Sequence, residues 1–162
     1  MAGKREPGED TVRAVRLILS FVAAVAVTAV LAVAASSQFV MAGLRGLGAE
    51  IGGAEMLRVT VHDVAGMAPL YALFVAAALL LGFLLTGALW PRTRLSRPFS
   101  YAVGGAAAIA AMLAIMGAVL GIDMVAGARG WGGFAAQCAV GALGGLLFAR
   151  LSQRRERRAA AA

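Results

Sequence analysis

The chain has 162 residues, of which 61% are hydrophobic and 14% charged, with a net charge of +7. Soluble domains average about 25% charged residues, and one soluble domain of this length cannot hide so much apolar surface. The basic residues stand in short clusters between apolar runs, with no aromatic-rich polar module beside them. They are therefore assigned to a lipid surface, and nucleic acid is not an expected partner.

In chain order, residues 1–16 are polar and of mixed charge, and Pro7 and Gly8 argue for a flexible N-terminal tail. The first apolar run, Leu17 to Val40, carries no charge over 24 positions. That is enough to cross a hydrocarbon core of about 30 Å. A cleavable signal is the rival reading, since basic residues precede the run and Ala32-Val33-Ala34 resembles a small-residue cleavage pattern. The run exceeds the roughly 7–15 residues of a signal core, which favours a retained span.

Residues 41–59 interrupt the apolar pattern. Leu44, Leu47 and Ile51 recur at spacings of three and four, which suits a short helix on the membrane surface. Gly43, Gly46, Gly48, Gly52 and Gly53 weaken that helix and leave the alternative of an irregular connection open. The second span is expected over about 60–90. Thr60 is placed to cap it, and Asp63, three positions later, to bind free backbone N–H groups. Pro69 predicts a kink and Pro91 a stop.

The loop Pro91 to Pro98 carries Arg92, Arg94 and Arg97. The third run, Phe99 to Ile122, is followed by a turn over 123–130 and a fourth run, Trp131 to Leu151. A basic C-terminal tail over 152–162 closes the chain. Its Arg154, Arg155, Arg157 and Arg158 are suited to anionic lipid. The predicted architecture is thus an all-α bundle of four transmembrane helices, spans about 17–40, 60–90, 99–122 and 131–151, in up-down-up-down order. Of the 15 basic residues, twelve fall on the N-terminal tail, the 91–98 loop and the C-terminal segment from Arg150 onward. The positive-inside rule then puts both termini in the cytoplasm. Fourteen of the basic residues are Arg and Ala and Gly abound, which suggests a GC-rich bacterial genome and a multi-pass protein of its inner membrane.

None of the four apolar runs holds a charged residue in its core, which disfavours pumps and transporters built on buried carboxylates. Ser20, Ala24, Thr28, Ala32 and Ser36 recur every four residues on the first run, and Gly133, Gln137, Gly141 and Gly145 on the fourth. Gly105, Gly117 and Gly121 are read as a stripe on the third. Small residues at this spacing let helices approach closely in lipid, so these positions are packing candidates. Gln137 between two glycines is alternatively a lining group of a polar path. Met112 and Met116 are read as core rather than thioether ligands. With one His, one Cys (Cys138) and no nucleophile-base or phosphate-loop pattern, no catalytic residue, metal site or cofactor is assigned.

The segment from Thr60 to Tyr71 groups His62, Asp63, Pro69 and Tyr71 where the second span enters the membrane. The plain reading is a capped, kinked helix start with Tyr71 in the interfacial belt; the functional reading is a ligand or partner contact. Together with Gln38-Phe39, the positions Thr60, Asp63, Gly66, Ala68, Pro69 and Tyr71 resemble a set of small bacterial four-span membrane proteins. The resemblance spans residues 17–151, implies the four-span fold and brings no activity with it. The expected role is a non-enzymatic subunit or scaffold that packs as a homo-oligomer or in a heteromeric membrane complex. A small oligomeric channel or carrier is the alternative, and a membrane enzyme lacks a catalytic set.

Overall fold

The computed structural model describes residues 7–48, 50, 52–92, 94–120 and 130–159. Four helices account for nearly all of them: α1 (Pro7–Gly46), α2 (Gly53–Leu89), α3 (Arg97–Leu120) and α4 (Trp131–Ala159). Each contains a stretch long and apolar enough to cross a membrane. No strand occurs among the described residues.

Helix ends follow local chemistry. Pro7 opens α1, where its missing N–H costs nothing. At the other end, Gly48 takes a positive φ of 93°, a backbone conformation that favours glycine, and its N–H donates to Arg45 O at 3.0 Å. The helix α2 tightens into a single 3-10 turn, Trp90–Arg92, as Pro91 arrives. Pro98 stands in the first turn of α3, again without penalty.

Neighbouring helices run antiparallel. Phe21 and Ser37 of α1 meet Phe83 and Asp63 of α2, in reversed order. Gly82 and Gly87 of α2 approach Ala108 and Tyr101 of α3, whose Tyr101 and Gly105 approach Gly145 and Gly141 of α4. The ring closes where Thr28 and Phe39 of α1 lie against Gly144 and Gly132 of α4. This is the up-down-up-down bundle that short connections dictate. The start of α1, the end of α4 and the α2–α3 hairpin therefore lie at one end, with Arg13, Arg16, Arg92, Arg94, Arg97 and Arg150. We call it the basic end.

The α3–α4 contact is backbone on backbone. A Cβ at Gly105 would meet the carbonyl of Gly141, and one at Gly145 the carbonyl of Tyr101. Lipid tails are as apolar as leucine, so such close packing, not water exclusion, holds these helices together. The core face of α2 (Ala68, Tyr71, Val75, Leu79, Phe83) recurs at spacings of three and four. It packs with Ala24, Ala29 and Ala32 of α1 and with Ile109, Met112 and Met116 of α3, so the two methionines are core. Toward the basic end, each helix contributes one ring. Phe83 stacks on Phe148 at 4.6 Å between centroids, with Tyr101 at 5.6 Å and Phe21 at 6.3 Å from Phe83 in edge-on contact.

Four expectations are corrected. The polar stretch before the first span is helical from Pro7 onward. No separate surface helix lies over 41–59 among the described residues; α1 runs to Gly46 and α2 begins at Gly53. Thr60 does not cap α2, because Gly52 takes the cap position in extended conformation. The run Ala54-Glu55-Met56-Leu57-Arg58 has good helix formers that carry the helix two turns further out. Gly117 has open space around it and is exposed, so it shares no stripe with Gly105. Twelve residues at 100° each put the two about 120° apart. Pro69 sits inside α2, which runs unbroken past it. Ile51, Gly121 and most of the 123–130 turn lie outside the described residues, as do the side chains of Arg154, Arg155, Arg157 and Arg158.

Candidate functional site

Buried polar side chains occur along the whole bundle, with Ser20, Ser100 and Ser152 toward the basic end, but those bonded to one another from helix to helix in a continuous set lie near the α1–α2 connection. Helix α1 supplies three consecutive ones, Ser36, Ser37 and Gln38, at the end of its apolar run. Consecutive helical residues point about 100° apart, so the three fan out over a wide arc that reaches both α2 and α4. Ser37 Oγ donates to Asp63 Oδ2 of α2 at 2.6 Å. Gln38 Nε2 donates to Thr60 Oγ1 at 3.0 Å, and Thr60 Oγ1 donates to Met56 O one turn earlier at 2.8 Å. On the other side, Gln137 Nε2 of α4 donates to Ser36 Oγ at 2.7 Å and to Ala32 O at 2.9 Å. The result is a belt of hydrogen bonds from α2 through α1 to α4.

Of the four residues singled out at the start of the second span, this belt takes in one. Asp63 is half-buried and faces α1. It is the eleventh residue of α2, too deep to bind the free N–H groups of the first turn, so its expected capping role is replaced by the contact with Ser37. His62 and Pro69 are exposed and point away from the bundle. Tyr71 is buried at 6% exposure, in the core rather than an interfacial belt.

The packing candidates divide between two partners. Gln137 faces α1, whereas Gly141 and Gly145 face α3. Gly144, seven positions after Gln137, faces Thr28 of α1. Gly133 is buried, and Gly132 is exposed beside the Phe39 ring. Thr28 is fully buried.

Among the described residues, three buried polar atoms have no hydrogen-bond partner: Thr28 Oγ1, Tyr71 OH and Gln137 Oε1. They lie on three helices, deeper than the belt or at its inner edge. Among the described residues, no group of three or more His, Cys, Asp or Glu is gathered to hold a metal ion. One carboxylate and several hydroxyls and amides suit hydrogen bonding, and that carboxylate, Asp63, meets a hydroxyl at Ser37.

Sequence reasoning did not pair Ser37 with Asp63. The usable signal was the run Ser36-Ser37-Gln38 at the close of an otherwise apolar stretch. The aromatic cluster of Phe21, Phe83, Tyr101 and Phe148 was also missed, since it takes one ring from each of four helices and no local spacing marks it. Comparison with known proteins found no match to a family model, to a curated protein or to a solved structure.

Proposed function

We propose that this small integral membrane protein is a non-enzymatic subunit of the bacterial inner membrane, with both termini cytoplasmic, that works by packing against a second copy of itself or another membrane protein. One observation carries this reading: α2 turns a leucine stripe outward, while Asp63, Ser37, Ser36 and Gln137 are bonded from helix to helix. Leu70, Leu73, Leu80 and Leu84 are all exposed and recur at helical spacing on the face opposite the core. The basic end, with its cluster of arginines, supports the orientation. Purification in mild detergent followed by native mass spectrometry tests the role. The expected result is a complex of defined stoichiometry that is lost on Leu73→Ala with Leu80→Ala. A monomer carrying only detergent and lipid contradicts it.

A channel or carrier is the second reading. It is favoured by the three unpartnered polar atoms Thr28 Oγ1, Tyr71 OH and Gln137 Oε1, which a polar guest would satisfy. Solute flux into proteoliposomes, reduced by Gln137→Leu, would establish it.

A further inference from the structure

A cleft of about 840 Å³ opens between α2 and α3 on the outside of the bundle. Its walls are almost wholly apolar, with Phe74, Leu81 and Leu85 on one side and Val103, Ile115 and Val119 on the other. Small residues, Ala78, Ala107 and Ala111 among them, leave the room between. From Ser100 to Val119 it runs nineteen residues along α3, roughly 28 Å at 1.5 Å per residue. Its mouth is at the basic end, where Leu89, Trp90, Leu95 and Ser100 line it.

The mouth differs in charge from the rest. Arg92 and Arg94 stand between the lining residues Trp90 and Leu95, and both are exposed. Arg92 spends one N–H on Ala88 O at 3.0 Å, which anchors the guanidinium at the rim and leaves its other donors available. The helix α3 also begins here, which puts the positive end of its dipole at the same place, although Pro98 has no N–H and that of Ser100 is bonded to Ser96 O at 3.0 Å. Trp90 donates its indole N–H to Leu95 O at 3.1 Å and so ties the two sides of the mouth together.

A long apolar cleft closed at one membrane face by two arginines and a helix N-terminus matches one class of molecule. We propose that the α2–α3 cleft binds an anionic phospholipid, its phosphate at Arg92, Arg94 and the start of α3, and an acyl chain along the cleft. A transmembrane helix fits the apolar walls equally well but gives the charged mouth nothing to bind. Charge complementarity therefore selects the lipid. Basic pockets between transmembrane helices at a membrane face bind anionic headgroups by this same chemistry. The site is separate from the leucine stripe of α2 and does not depend on the role proposed for that stripe.

The test is native mass spectrometry of the full chain, with phosphatidylglycerol and phosphatidylcholine of matched chains titrated in mild detergent. Wild type is expected to retain one phosphatidylglycerol per chain in preference to phosphatidylcholine. Arg92→Gln with Arg94→Gln should remove that preference, by roughly fivefold for each arginine. Arg150→Gln, an exposed arginine at the same end on α4, should leave it unchanged. Ala107→Phe with Ala111→Phe, both at exposed cleft positions, should abolish retention of either lipid while the melting profile stays that of wild type. Equal retention of the two lipids by wild type would overturn the proposal, as would an equal loss with Arg150→Gln, which would mean surface charge without a site. A lipid-free dimer broken by the cleft-filling pair would overturn it in favour of a second copy.

Discussion

The interior of the bundle is fastened by hydrogen bonds near the α1–α2 connection and by rings near the basic end. In the first half, Asp63, Ser37, Ser36 and Gln137 link three helices through side chains whose bonds run between distant parts of the chain. In the second, Phe21, Phe83, Tyr101 and Phe148 bring one ring from each helix into a single cluster. The difference shows two answers to one problem. In lipid, apolar surface gives no drive for helix to meet helix, so association rests on close packing and on bonded polar groups. A directional bond specifies which residue faces which. A ring cluster tolerates small shifts but contributes more to resisting separation, with each aromatic pair worth about 0.5–1.5 kcal/mol beyond its buried area.

Substitutions can break this comparison or sharpen it. The largest effect is expected at the α3–α4 backbone contact beside the aromatic half. Gly145→Leu must displace the Tyr101 carbonyl, and a loss of about 3 kcal/mol or failure to fold is expected. Gly132→Leu meets only the edge of the Phe39 ring and should cost far less in the same detergent denaturation assay. Next comes Phe83→Ala, which removes the ring that three others touch and should cost about 3 kcal/mol. If it costs no more than Phe39→Ala, at a half-open position, the aromatic half is not a fastening.

The polar half should respond more weakly. Gln137→Leu loses two donors to α1, and about 1 kcal/mol is expected, near the middle of measured interhelical hydrogen bonds in membranes. Smallest is the Ser37–Asp63 pair. A double-mutant cycle of Ser37→Ala and Asp63→Ala should give a coupling of about 0.6 kcal/mol. Asp63→Asn, which still accepts from Ser37, should retain most of it. His62→Ala should lie within about 0.5 kcal/mol of wild type, since the side chain is exposed. A coupling near zero would leave the contact at the α1–α2 end without weight.

The four apolar helices and their order could be read from the sequence because hydrophobic length and the breakers Pro91 and Pro98 are local signals. Helix ends were less legible. Thr60 and Asp63 resemble a capping pair, but the residues before Thr60 continue the helix and Gly52 ends it without a side chain. The glycine stripe on α4 shows a further limit. A repeat of four advances 400°, so it drifts 40° at each step. From Gln137 to Gly145 the face has turned about 80°, enough to leave α1 and meet α3. Periodicity names a face but not its neighbour, and for that reason the link between Asp63 and Ser37 had no signature. The split of His62 from Asp63 follows from the same geometry, since adjacent helical residues cannot share a face.

Thr28 lies between the two halves, fully buried, with Gly144 on one side and the aromatic cluster beyond it. Water reaching Thr28 would mean that the polar half is a path; its exclusion would mean that the belt is a fastening. The measurement is labelling of a single cysteine at this position, Thr28→Cys in a Cys138→Ala background, by a membrane-impermeant thiol reagent applied from each side. Gln38→Cys, at an exposed position of the same helix, is the reference. The account predicts rapid labelling at position 38 and none at position 28 from either side. Labelling of position 28 at a rate near that of position 38 would contradict it and make the bundle interior a conduit.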